Sequence, residues 1–263
     1  MQKQPILAYD DNGTGQPVVL IHGFPLSREM WTPQVEALLK GGCRVITPDL
    51  PGFGESAPLS GTVSMSRYAD AVIALLDQLG IDRAVVGGMS MGGYVLLNLV
   101  ERYPQRLTAA LYLVTRAAAD DAAGKVRRAE LAGEVRGGNR DVVPDAFEKL
   151  LFAPETPVRQ PQLVGKVRDW MDAASPEGVA GALLAMRSRK DYVKLLPALP
   201  VPALVVSAEQ DLAIPPAHAE ALAAGLPVAE LHIIANAGHM ANLEQPAAFN
   251  KVLLDFLKNR KLV

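Results

Sequence analysis

Cys43 is the one cysteine among 263 residues, so no intramolecular disulfide framework can scaffold this chain. It stands just before the strand-like Arg44-Val45-Ile46-Thr47 and reads as a packing residue, not a reactive thiol. Charge of one sign is also scarce: the net charge is −2 and the isoelectric point about 6.1. That balance points neither to nucleic acid nor to an anionic membrane surface. Long apolar runs are missing as well. Ala84–Val100 carries no charge, but four glycines interrupt it and it is too short to cross a bilayer. Met1–Pro5 lacks the apolar core of a signal peptide, which makes a cytoplasmic setting the expectation. The sequence has no metal-ligand cluster, low-complexity tract or internal repeat, and it calls for no cofactor and no metal.

What is present is apolar and periodic. Hydrophobic residues make up 49% of the chain, enough for one large α/β domain with an insertion. Strands are expected near 6–9, 18–21, 44–47, 84–87, 108–114, 203–207 and 230–234, and helices over about 31–40, 65–79, 91–102, 216–224 and 246–259. Such alternation predicts a mostly parallel sheet with helices on both faces, after an early antiparallel strand or two. The stretch 119–195 breaks the pattern. It holds no convincing strand, mixes acidic and basic residues, and has helix-like runs at Asp145–Phe152, Gln162–Ala173 and Pro176–Arg189. It reads as a helical cap inserted into a core of residues 1–118 and 196–263, and its apolar Trp170, Phe147 and Met186 are the candidates for a substrate pocket.

The chemistry concentrates in Gly88-Met89-Ser90-Met91-Gly92. An apolar run precedes it and apolar residues at helical spacing follow, which reads as strand, sharp turn, helix. Small residues flanking the serine let strand and helix approach closely and lift the hydroxyl above the sheet edge. Three further loops each leave a strand-like run. His22-Gly23-Phe24-Pro25 offers a backbone N–H for an oxyanion, so Phe24 and Met91 are the expected donors, with His22 organising the loop. The run Ala203–Ser207 leads to Glu209 and Asp211, of which Asp211 is the favoured acid. Gly238-His239 follows Leu231–Ile234 and supplies the imidazole. His218 is expected to be exposed on a helix, His232 to pack within a strand, and Asp49 to shape a loop. A serine hydroxyl needs a base to remove its proton, histidine titrates near neutrality, and a carboxylate fixes its tautomer. Ser90, Asp211 and His239 are therefore the candidate catalytic residues.

These segments, together with Asp49-Leu50-Pro51-Gly52-Phe53-Gly54-Glu55-Ser56, resemble the α/β-hydrolase superfamily over nearly the whole chain. The resemblance implies the α/β-hydrolase fold with a helical cap. Ala185-Met186-Arg187-Ser188-Arg189 with Asp191, and Asn242-Leu243-Glu244-Gln245-Pro246, look most like the serine carboxylesterase and enol-lactonase-like branch. That branch implies cleavage of a small ester, lactone or thioester through an acyl-enzyme, with a small-molecule substrate and neither nucleic acid nor membrane as partner. A lyase, a C–C bond hydrolase, a perhydrolase and a noncatalytic ligand receptor remain open on the same residues. Serine at 90 sets aside the superfamily members that need a carboxylate nucleophile, the epoxide hydrolases and haloalkane dehalogenases. Where the family often carries an acid at a strand end, this chain has Val114-Thr115.

Overall fold

In the computed structural model, which describes residues 7–263, seven strands form one sheet in the order β1-β3-β2-β4-β5-β6-β7. They are β1 Tyr9–Asn12, β2 Gln16–Ile21, β3 Cys43–Pro48, β4 Ala84–Met89, β5 Leu107–Leu113, β6 Ala203–Ala208 and β7 Ala229–Ile234. Only β1 runs antiparallel to its neighbour; every other pairing is parallel. β4 and β6 are buried along their whole length, as strands covered on both faces must be.

Each central strand sends alternate side chains to opposite faces. Val19, Ile21, Val86, Ala110, Tyr112 and Val205 join one apolar layer, with Tyr68, Val72, Val95 and Leu99 from the helices. Val18, Leu20, Val85, Leu111 and Val206 join the other, with Trp31, Leu38, Phe249 and Leu253. The first layer rests on α2 Met65–Gln78 and α3 Met91–Arg102, the second on α1 Thr32–Lys40 and α11 Pro246–Asn259. The strand order reverses at β2. The chain steps from β2 outward to β3, then returns to place β4 on β2's other side. A crevice opens at the carboxyl ends of strands at such a reversal, and the loops after β2 and β4 both emerge there.

Five helices separate β5 from β6: α4 Ala122–Arg136, α5 Val142–Leu151, α6 Thr156–Arg159, α7 Pro161–Ala173 and α8 Pro176–Arg187. The side chains of Asp121 and Ser175 cap α4 and α8 by accepting from the N–H of Gly124 and Gly178. The two ends of this segment are stitched together. Tyr192 N–H donates to Ala117 O at 3.1 Å, Ala119 N–H to Asp191 Oδ2 at 2.9 Å, and Arg189 Nη2 to Ala118 O at 2.9 Å. The start of α8 presses backbone to backbone on the Asp49–Ser56 loop. A Cβ on Gly178 would overlap the Gly52 carbonyl, and one on Gly52 would meet Gly178 Cα. Two short and medium helices, α9 Ala217–Gly225 and α10 Ala241–Glu244, complete the described chain.

Six of the seven expected strands lie within about two residues of those observed. The first does not: the strand expected at 6–9 runs Tyr9–Asn12 instead, with residue 6 outside the described residues. β1 is an exposed edge, and its polar Asp10–Asn12 show no apolar alternation by which the sequence could mark them. The reading of Met1–Pro5 also lies outside the described residues. α4 has no clear sequence signal because only Ala132 and Val135 of its 15 residues are buried, which leaves little apolar periodicity. No helix among the described residues is long and apolar enough to cross a membrane.

Candidate active site

Ser90 joins β4 to α3 with φ 53° and ψ −111°, a left-handed backbone for a side-chain-bearing residue. Such a conformation costs on the order of 1–3 kcal/mol and persists only where its surroundings enforce it. Here they do. Its N–H donates to Leu113 O at 3.0 Å, its carbonyl accepts from Thr115 Oγ1 at 2.8 Å, and the Gly93 N–H closes on the same carbonyl at 3.0 Å. A Cβ on Gly88 would overlap the Gly92 carbonyl, and one on Gly92 would overlap the carbonyl of Ile21. Strand, turn and neighbouring strand are in backbone contact, so both positions require glycine. Met91 is the first residue of α3, where N–H groups have no acceptor within the helix. Thr115 thus holds the turn from the end of the neighbouring strand.

The imidazole comes from the loop after β7. His239 Nδ1 donates to Asp211 Oδ2 at 2.8 Å, and both side chains are buried. The other carboxylate oxygen, Oδ1, accepts the N–H groups of Ala213 and Ile214, each at 2.8 Å. Asp211 is therefore oriented by its own turn. With Nδ1 engaged, the lone pair of His239 sits on Nε2. Glu209, the local competitor, is exposed and accepts from the Asn236 N–H instead. Ser90 and His239 share the wall of one cavity, with no hydrogen bond between them.

Glu244, which the sequence marks only as part of Asn242–Pro246, clasps the histidine loop. Its buried carboxylate accepts from Gly238 N–H and Ala153 N–H, both at 2.9 Å, and from Thr156 Oγ1 at 2.6 Å. It ties the residue before His239 to the end of α5 and the start of α6. Met240 N–H adds a further bond to Leu151 O at 2.9 Å. His22 organises its loop as expected. It is fully buried, its Nε2 accepts from Leu50 N–H at 2.9 Å, and Nδ1 donates to Gly23 O at 2.8 Å. Those partners demand the neutral ring, and burial holds its pKa below the ordinary value. Asp49 accepts from the N–H of Arg28 at 2.8 Å and of Glu55 at 3.0 Å, and pairs with the Arg28 guanidinium, again a loop-shaping role.

A cavity of about 260 Å³ lies over Ser90. Phe24 and His239 line it from the sheet side, and Phe147, Leu150 and Met186 from the inserted helices. Phe24 and Phe147 meet edge to face, ring centroids 5.3 Å apart. Trp170, expected beside them, is absent from this wall. It sits half-buried on α7 with Lys166 Nζ 5.0 Å from its ring centroid and packs toward the layer holding Val167 and Met171. Helical spacing shows that α7 has an apolar face but not which neighbour it meets; Leu150, one turn beyond Phe147 on α5, supplies the wall. His218 is half-buried where exposure was expected, and burial followed by the nearby Arg116 lowers its pKa. His232, expected to pack, is exposed on the edge strand β7.

One rim of the cavity is charged. Asp120, buried, accepts from Arg116 Nη2 at 2.5 Å, lies 2.8 Å from Arg189 Nη1, and also pairs with Arg128. Burial alone would raise this carboxyl, but Arg189 and Arg128 hold it well below the usual carboxylate range. Arg189 in turn lies over the Tyr94 ring, 4.2 Å from its centroid.

A family model described as the alpha/beta hydrolase fold matches residues 16–246. The solved structure of a thermophilic esterase from Thermogutta terrifontis, with malate bound, superposes with a TM-score of 0.94 at 38% identity, covering 97% of this chain and 93% of that one. The enol-lactonase from Burkholderia xenovorans LB400 superposes with a TM-score of 0.89 at 30% identity, covering 96% of each chain. In Pseudomonas putida, the dihydrolipoyllysine-residue acetyltransferase component of the acetoin cleaving system is 35% identical over 252 residues. That match takes in 93% of this chain but spans only 64% of the longer protein.

Proposed function

The chain belongs to the α/β-hydrolase family, and from that premise we propose that it is a serine hydrolase cleaving a small ester, lactone or thioester through an acyl-enzyme at Ser90. The observation that carries this reading is the buried 2.8 Å hydrogen bond from His239 to Asp211, opening on the same cavity as the strained Ser90. A carboxylate on Nδ1 keeps the proton there and stabilises the imidazolium. Nε2 then takes the Ser90 proton as Oγ attacks the acyl carbon. The N–H groups of Phe24 and Met91 receive the resulting oxyanion. His239 returns the proton to the departing alcohol or thiol, and the carbon–oxygen or carbon–sulfur bond breaks. Water, deprotonated by His239, attacks the acyl-enzyme and releases the acid with Ser90 restored. Residues 119–195 act as a cap in this scheme, with Phe147 and Met186 shaping the acyl or leaving-group pocket.

p-Nitrophenyl acetate tests the reading. A burst of nitrophenolate equal to the enzyme concentration, with one acetyl mass on the peptide containing Ser90, is the expected result. Turnover that survives in folded Ser90→Ala, or no acylation with any activated ester, lactone or thioester, would overturn it.

A further inference from the structure

We propose that β7 is a docking edge for a second copy of this chain: two β7 strands pair antiparallel about a two-fold axis through Leu231 and join the two sheets into one. The inference is independent of the serine-hydrolase reading.

The two edges of the sheet are built differently. β1 carries Asp10 and Asp11, which pair with Arg28 and Arg44. A charged edge discourages a further strand. β7 has no such protection. Leu231 and Ile233 are 36% and 46% exposed, with exposed His232 between them. No lysine, proline or bulge interrupts Ala229–Ile234, which stays in continuous register with β6. The carbonyls of Val228 and Ile234 accept from Ala203 N–H and Glu209 N–H on the β6 side. Strand residues alternate, so Glu230 and His232 also turn their backbone groups toward β6. The N–H and C=O of Ala229, Leu231 and Ile233 therefore face outward, and among the described residues nothing bonds them.

Backbone and side chains select one partner and one register. In an antiparallel pair, opposed residues of this kind exchange both hydrogen bonds. Centring on Leu231 sets Leu231 against its own copy, and Ala229 of each chain against Ile233 of the other. Three residue pairs with two bonds each give six bonds; sliding by two residues either way leaves two pairs within β7 and so four bonds. The centred register also places Glu230 of each copy directly opposite His232 of the other. Sliding one way would oppose Glu230 to Glu230, and sliding the other way His232 to His232. Cross-strand pairs of complementary charge are favourable and like pairs are not. Arg260 Nη2 donates to Glu230 Oε1 at 3.0 Å, while Oε2 has no partner among the described residues and can accept an imidazole N–H. On the other face, Leu231 and Ile233 lose their exposure against Leu231 and Ala229 of the second copy. The strand is thus complementary to itself, as a two-fold interface requires.

Sedimentation equilibrium of the full chain from about 1 to 100 µM tests the proposal, the range over which a small interface dissociates. A monomer–dimer equilibrium is expected. Leu231→Lys sets two lysines face to face on the axis and should raise Kd about a hundredfold or more, with the melting profile of the monomer kept because the position is exposed. His232→Glu opposes like charges at both cross-strand pairs and should raise Kd about tenfold, and adding Glu230→Lys should recover most of that loss. Disulfide trapping reads the register. Leu231→Cys brings the two thiols onto opposed residues with Cα atoms about 5.5 Å apart and should crosslink under mild oxidation. Ile233→Cys separates them by four residues, about 14 Å along the strands, and should not. Cys43 is buried and offers no competing thiol. A chain that stays monomeric throughout, a dimer indifferent to Leu231→Lys, or faster crosslinking by Ile233→Cys than by Leu231→Cys would overturn the proposal.

Discussion

Every residue of β4 and every residue from Met91 to Val100 of α3 is buried, whereas α4, which lines the same cavity, buries only two of its 15 residues. Ser90 is held by backbone crowding, from Gly88 against Gly92 and from Gly92 against the loop after β2. The opposite wall is held by side-chain tips: Asp120 among its arginines, Asp191 on Ala119, Glu244 on Ala153 and Thr156. The first construction fixes atoms to fractions of an ångström and leaves no room for substitution. The second sets a surface whose charge and shape can change one residue at a time. Substitutions on the two walls should therefore fail differently, the lower in turnover and the upper in selectivity.

Ser90→Ala is the harshest test of the lower wall. A loss of about 10⁶-fold in kcat with an unchanged melting profile is expected, the scale of removing a triad nucleophile. A mild loss would erase the division at its strongest point. Asp211→Asn should cost about 10⁴-fold in kcat, because an amide favours the wrong tautomer of His239. Glu209→Gln, measured beside it, should cost little, since Glu209 reaches only the Asn236 N–H. A larger loss for Glu209→Gln reverses the assignment.

Glu244→Ala probes the junction of the two walls. It leaves two buried N–H groups and a hydroxyl without their acceptor. Each unsatisfied buried group costs about 1–3 kcal/mol, so urea denaturation should show a loss of several kcal/mol. kcat should fall with it because the Gly238-His239 backbone loosens. A stability loss with unaltered kcat would mean that the clasp serves the fold alone.

On the upper wall, Phe147→Ala and Met186→Ala should shift the preferred acyl length, with discrimination of about 1–3 kcal/mol per methylene. Trp170→Ala should leave the length profile in place, since Trp170 lies off the cavity wall. A profile that moves with Trp170 and not with Phe147 would overturn the division from above.

The smallest effect is in pH. His22 is held below its ordinary pKa by burial, so the unfolded chain binds its proton first as acid is added. Stability is thus complete above about pH 6.5 and falls below it, by at most about 1.4 kcal/mol per pH unit for one proton. His218 is shifted the same way. Asp120, depressed by its arginines, contributes stability that is lost only below about pH 4, leaving pH 5–6.5 to the histidines. Chemical denaturation of His218→Gln should keep most of that slope. A flat profile would show that His22 is not its source.

The legibility of these two walls differed for the same physical reason. Strands buried on both faces are continuous apolar runs, and Gly88–Gly92, His22–Pro25 and Gly238-His239 announce sharp turns by composition, so the sheet and the residues brought to its edge could be read directly. Asp211 is separable from Glu209 in the sequence only by position in the loop; in the structure its Oδ2 lies 2.8 Å from His239 Nδ1. Trp170, Glu244 and the Asp120 cluster could not be read this way. Some of their partners lie tens of residues away, Arg189 from Asp120 and Ala153 and Thr156 from Glu244, and helical spacing reports that a face is apolar or charged without saying what it meets. β1 slipped because an exposed edge strand has no face to bury.

β5 and β6 pair directly, Leu111 beside Leu204, although all five inserted helices intervene. For a flexible loop, doubling the length adds only about 0.6 kcal/mol to the entropy of closing it. The stitched ends at Ala117–Ala119 and Arg189–Tyr192 close this one at its base whatever lies between. The pairing of β5 with β6 therefore depends little on the length of the stretch between them, although Leu151, Phe152, Val167 and Met171 of that stretch pack into the second apolar layer. Descendants of this chain could change the exposed parts of that stretch, such as α4, and so meet new substrates, while the strands keep their pairing.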